Sequence, residues 1–99
     1  MVTKKKSTKA RAVLVTTANR GVFFGYATKT DGDTVKLTNA RNCIYWSRQC
    51  GGFMGLAANG PVGDSRVGAK ADIEIRNVTS VTEVTDSAAK VWNEKPVWV

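Results

Sequence analysis

The chain contains no histidine. That removes the commonest general base, the commonest transition-metal ligand, and every Ser–His or Cys–His pairing used in nucleophilic catalysis. The two cysteines, Cys43 and Cys50, are too few to complete a four-ligand zinc site without histidine. They also lack the two-residue gap and the thioredoxin-like surroundings of a catalytic dithiol. Acidic residues are scattered, and the one close pair, Asp31 and Asp33, flanks Gly32 in a turn signal. No phosphate-cradling GxxxxGKS/T segment occurs. The expectation from these absences is a protein with no enzymatic activity, no cofactor and no resident metal. No apolar run approaches the roughly 18 residues that a membrane-crossing helix needs. The apolar stretch Ala12 to Val15, behind a basic N-terminus, is too short for a signal-peptide core. The expected location is therefore the cytoplasm, with no membrane partner.

Acidic residues are missing altogether from the first eleven positions, which hold Lys4, Lys5, Lys6, Lys9 and Arg11. The remaining 88 residues carry ten basic and eight acidic side chains, so most of the net charge of +7 sits on this arm. A basic arm without apolar content is expected to stay off the core and to suit weak, salt-sensitive contact with phosphate. A solubilising leader with no partner would look the same. The domain organisation expected is an arm over residues 1–11 and one small domain over 12–99.

Beyond the arm the chain alternates like strand. Val13 and Val15 alternate with Leu14 and Thr16 in a β-branched run, and Asn19-Arg20-Gly21 reads as a hairpin connection. Residues 22–29 form the next strand, with Gly25 marking a bulge or bend. Asp31-Gly32-Asp33 turns the chain into a third strand over 34–38. The apolar run Cys43-Ile44-Tyr45-Trp46 reads as a further short strand. Six of the nine glycines fall within residues 51–68, a long connection for so small a domain. It reads either as a functional loop or as a plug formed by Phe53, Met54 and Leu56. Ile73 and Ile75 alternate with charged residues, then Val78, Val81 and Val84 recur at spacing three, so the strand bends near Asn77. Residues 86–93 read as a short helix capped by Thr85 or Asp86, packed through Val91 and Trp92 and ended by Pro96. The apolar end, Pro96 to Val99, is expected to dock on its own domain or on a neighbouring subunit. The fold class is mostly β: a small barrel or sandwich of five to six antiparallel strands with one short C-terminal helix.

The positive signal for function is basic residues interleaved with aromatics in the first half. In small β folds, aromatics that stack on bases and cations that follow the backbone make single-strand binding surfaces. The residues expected to carry binding are Arg20, Tyr26, Arg41, Tyr45, Trp46 and Arg48, with the arm's Lys4, Lys5, Lys6, Lys9 and Arg11. Because Phe23 and Phe24 fall on opposite faces of one strand, one of the two is expected to face a partner. Cys43 is expected to pack as a small apolar side chain and Cys50, beside Gly51, to lie near the surface.

The runs RGVFFGY (20–26), LTNARNCIYW (37–46), GFMGLAANGP (52–61) and SRVG (65–68) occur in one order. With them the chain resembles an uncharacterised domain-of-unknown-function family of small tailed-phage proteins, over roughly residues 12–93. The resemblance implies a phage accessory protein in the cytoplasm of a host bacterium and carries no functional residue with it. The function expected is binding, with nucleic acid, a nucleotide or another phosphate-bearing ligand slightly favoured. The alternatives are a protein-interaction module that inhibits a host or defence protein, a minor structural virion protein, and, alongside any of these, a homo-oligomer.

Overall fold

A computed structural model describes residues 10–18 and 21–98. Lys4, Lys5, Lys6, Lys9 and Arg20 lie outside the described residues. The strands are β1 (Arg11–Thr17), β2 (Val22–Ala27), β3 (Thr34–Tyr45), β4 (Arg66–Val67), β5 (Ala71–Arg76) and β6 (Val78–Glu83). A 3-10 turn (Arg48–Cys50) and helix α1 (Gly52–Ala58) separate β3 from β4, and helix α2 (Asp86–Glu94) comes after β6. Among the described residues, no helix is long and apolar enough to cross a membrane.

The six strands are antiparallel and form one sheet in the order β4-β3-β2-β1-β6, with β5 also on β3. The spine is β3. The sequence pattern ends this strand at residue 38 and begins another near 43; the chain instead runs through, with Asn39 at φ 50° taking up the irregularity. Its first half pairs with β5 and its last residues with β4, while β2 lies on its other edge. Gly25 has the close approach that its position in a strand suggests. A Cβ there would lie 2.9 Å from the Leu37 Cβ and 3.2 Å from the Ala40 Cα, and the β2–β3 register shifts at this point.

The bend expected near Asn77 is present. Asn77 sits at φ 61° between β5 and β6, which lie on opposite edges of the sheet. The edges meet at this corner, where Val78 N–H donates to the Asp33 carbonyl and Ala18 N–H to the Asn77 carbonyl. No ladder joins β5 to β6 among the described residues, so the sheet is not closed. The chain is mostly β with a C-terminal helix, in the form of one open six-stranded sheet.

Both faces of the sheet are apolar, and alternation along β1 shows why. Val13 and Val15 enter one cluster with Ala27, Val35, Leu37, Ala40 and Ile75. Leu14 enters the other, with Phe24, Cys50, Leu56, Val67, Ala88 and Trp92. Phe24 is fully buried in the second cluster, whereas Phe23 packs on the first while partly exposed, lining a shallow depression with Ala40, Asn42 and Ile73.

Helix α2 covers the second face. Thr85 caps it by accepting a hydrogen bond from Ala88 N–H at 3.1 Å, as the sequence indicates. Trp92 is fully buried, stacks on Phe24, and donates its indole N–H to the Leu56 carbonyl at 3.1 Å. Burying an indole of this size contributes about 4–6 kcal/mol of apolar transfer. The glycine-rich connection is not one long loop. Residues 52–58 are helix, Leu56 is buried and Phe53 packs beneath, while Met54 points outward.

Candidate binding surface

The end of β3 carries Tyr45, and its neighbour across the ladder is Arg66 on β4. On the far side of β4 the C-terminal tail adds one parallel bridge, Val67 with Val97, and Trp98 N–H donates to the Val67 carbonyl at 3.0 Å. Three adjacent chain segments thus set Tyr45, Arg66 and Trp98 in a row. The Arg66 guanidinium carbon lies 5.5 Å from the Tyr45 ring centroid and 5.1 Å from that of Trp98. Both distances suit a cation held against an aromatic face. Tyr45 and Trp98 are each about half exposed, and Ile44, Trp46 and Val97 beside them are similarly open.

Arg48 reaches the same edge from the 3-10 turn. It lines a depression of about 460 Å3 together with Tyr45, Ser47, Gln49 and Asp64. The turn is held by a small buried network. Ser47 N–H donates to Ser65 Oγ at 2.9 Å, and the Ser65 hydroxyl donates to the Val62 carbonyl at 2.6 Å. With that proton committed, the Cys50 thiol 3.2 Å from Ser65 Oγ is the donor in their contact. Cys50 therefore fastens the Arg48 turn to the segment that leads into Arg66. This corrects its expected place near the surface: Cys50 is fully buried, because the turn folds back beneath α1. Cys43 packs against the same cluster and is partly buried. Desolvation by burial, with the neighbouring Cys50, pushes its thiol up from an ordinary 9.0 to about 11.

The other residues expected to bind are dispersed. Arg41 is 2 % exposed, which corrects its expected role as a surface contact. Its Nε donates to the Gly68 carbonyl at 2.7 Å, and its Nη1 to the carbonyls of Trp92 at 2.7 Å and Lys95 at 2.6 Å. The physical reason is the end of α2, whose last carbonyls lack helical partners and carry the negative end of the helix dipole. Burial pulls the Arg41 pKa down, and an arginine in a protein nonetheless stays cationic. Tyr26 is half buried, edge-on to Phe24, and its hydroxyl accepts from Asn93 Nδ2 at 2.9 Å. It lines a separate groove of about 560 Å3 with Arg11, Glu83, Lys90 and Asn93. Arg11 is the first residue of β1 rather than part of an arm, and it is paired with Glu83 at 2.7 Å.

Tyr45 and Arg48 are thus brought together, with Trp46 exposed next to Tyr45 in the chain, while Tyr26, Arg11 and Arg41 lie elsewhere. Sequence reasoning missed Arg66 and Trp98, the two residues that complete the row. Arg66 lies inside the glycine-rich run of residues 51–68, where no periodicity marked it. For Trp98 the signal was the expectation that the apolar tail docks.

Fold and surface together define a class: a small single-sheet β domain with an exposed aromatic–arginine edge. Residues 10–92 match the family model described as a domain of unknown function (DUF6948), and the chain belongs to that family. The match takes in all six strands, and Trp98 lies beyond it. No curated protein and no solved structure matches the chain.

Proposed function

We propose that the protein is a non-enzymatic binding module whose Tyr45–Arg66–Trp98 edge takes nucleic acid or a similar phosphate-bearing ligand. The observation that carries this reading is the position of the Arg66 guanidinium between two rings. A guanidinium that packs on rings through its faces keeps its in-plane N–H donors for a ligand, and those donors match the oxygens of a phosphate. Neither Arg66 nor Arg48 has a side-chain hydrogen bond or ion pair to another described residue. Trp98 and Tyr45, about half exposed, and Trp46, about a third exposed, supply faces on which bases stack, and such stacking is tolerant of sequence. The basic arm adds sequence-independent attraction to the same ligand. A phage accessory role in a bacterial cytoplasm belongs to this reading through the resemblance in sequence.

Gel shifts with single- and double-stranded oligonucleotides at low and moderate salt test the proposal. Binding that weakens in Arg66→Ala and Trp98→Ala supports it, and no shift at low salt ends it. A shift lost entirely on deletion of residues 1–9, and unaffected by those two substitutions, assigns binding to the arm instead.

A second reading is a protein-interaction surface, for a host protein or a second copy of this chain. Its support is the exposure of Ile44 and Val97 beside the row. It predicts little salt-dependent oligonucleotide binding, and a complex or oligomer that dissociates when residues 96–99 are removed.

A further inference from the structure

A buried arginine normally has a carboxylate beside it, because desolvating a cation is costly. Arg41 has none within ion-pair distance among the described residues. Three carbonyls take its place, and they belong to two separate segments. Gly68 lies two residues beyond Arg66, and Lys95 lies three residues before Trp98. Trp92 marks the last turn of α2, the element from which the tail departs. The guanidinium is rigid and planar, so its Nε and Nη1 bonds fix the geometry between the two segments.

Between Lys95 and the row the tail has few other holds. Pro96 has no N–H to donate, Val97 makes one bridge, and Trp98 makes one backbone hydrogen bond. The place of the indole over Arg66 thus depends on where the root of the tail is set.

We propose that Arg41 is a positioning residue that registers the β4 segment against the root of the C-terminal tail, and so assembles the Arg66–Trp98 half of the binding edge. The proposal rests on the reading of that edge as a binding surface, but its geometry is testable without a ligand.

Three tryptophans, Trp46, Trp92 and Trp98, give three indole N–H signals in a nitrogen-labelled NMR spectrum, and Trp98→Phe assigns one of them. In the otherwise unaltered protein, Arg66→Ala is expected to shift the Trp98 signal and leave that of Trp92 in place. In Arg41→Lys, which keeps the charge and loses the fork, Arg66→Ala is expected to move the Trp98 signal no further. A folded Arg41→Lys protein that keeps the full Arg66–Trp98 response overturns the proposal. Should Arg41→Lys not fold, one glycine inserted between Lys95 and Pro96 leaves Arg41 in place and lengthens only the tether. The same loss of response is expected there, and a retained response overturns the proposal.

Oligonucleotide affinity is then expected to fall roughly tenfold in these variants, the loss associated with one stacking contact. Unchanged affinity in a variant that has lost the response overturns the claim that the positioning serves binding. An unaltered protein that binds no oligonucleotide ends the functional reading alone, since the NMR response does not depend on it.

Discussion

The indole of Trp92 lies 5.0 Å from the ring of Phe24, with the two planes within 5° of parallel. This stack fastens α2 to the centre of the sheet, and the Trp92 N–H to the Leu56 carbonyl adds α1 to the same joint. Trp92→Phe keeps a ring on Phe24 but removes the donor and leaves a void. The Leu56 carbonyl retains a second partner, Gly60 N–H, so the loss is partial. The expected cost is about 1–3 kcal/mol in urea denaturation, against about 3–5 kcal/mol for Trp92→Ala.

At Gly25 the neighbouring strand β3 leaves no room for a side chain. Gly25→Ala would place its methyl against Leu37 and the Ala40 backbone, neither of which can withdraw without shifting β3. Destabilisation of about 1–3 kcal/mol is expected. Because β3 leads directly into Trp46, a displaced strand should alter the fluorescence of that residue just past its end. An unchanged midpoint in denaturant would show that the bulge absorbs the methyl.

Period and punctuation make much of this fold legible in the sequence. Alternation marks β1, β2 and β5, the change of spacing marks the Asn77 bend, and Thr85 with Pro96 bounds α2. The helix at residues 52–58 was hidden because Gly52 and Gly55 each lower helix propensity by about 1 kcal/mol. Packing of Leu56 under Trp92 overrides that deficit, and packing is not local information. The candidate edge was half legible for the same reason. Tyr45, Trp46 and Arg48 are neighbours in sequence, whereas Arg66 and Trp98 join them only through strand pairing. Arg41 was misplaced because a charged residue reads as surface, and the carbonyls that satisfy it come from residues 27, 51 and 54 positions away.

The raised thiol of Cys43 makes a claim about pH. Folding favours its protonated form, so above the ordinary value of 9.0 the unfolded chain has released a proton that the folded chain retains. Stability carried by this group is therefore intact below pH 9 and declines as pH rises towards about 11. Denaturation midpoints of the unaltered protein and Cys43→Ala, compared at pH 8 and pH 10.5, should converge at the higher value. The comparison cancels every pH effect common to the two proteins. A gap between the two proteins that stays constant or widens with pH would contradict the burial of the thiol.

Arg48 and Arg66 share the edge but are held differently, and this separates charge from geometry in binding. Arg48 is exposed and has no ring against it among the described residues, so on the proposed reading its contribution is a point charge at a phosphate. Arg48→Ala should weaken binding evenly across sequences and lower the slope of log affinity against log salt by about 1. Arg48→Lys should restore most of that loss. On the same reading Arg66, within cation–π distance of both Tyr45 and Trp98, acts through its planar fork, so Arg66→Lys should preserve the salt slope yet fail to recover the affinity. Fluorescence anisotropy with a labelled single-stranded oligonucleotide, titrated from about 50 to 200 mM salt, reads both quantities at once. Equal rescue of both sites by lysine would reduce the edge to a basic patch. Rescue at Arg48 alone would mark the ring–guanidinium–ring row as the element that orients the ligand.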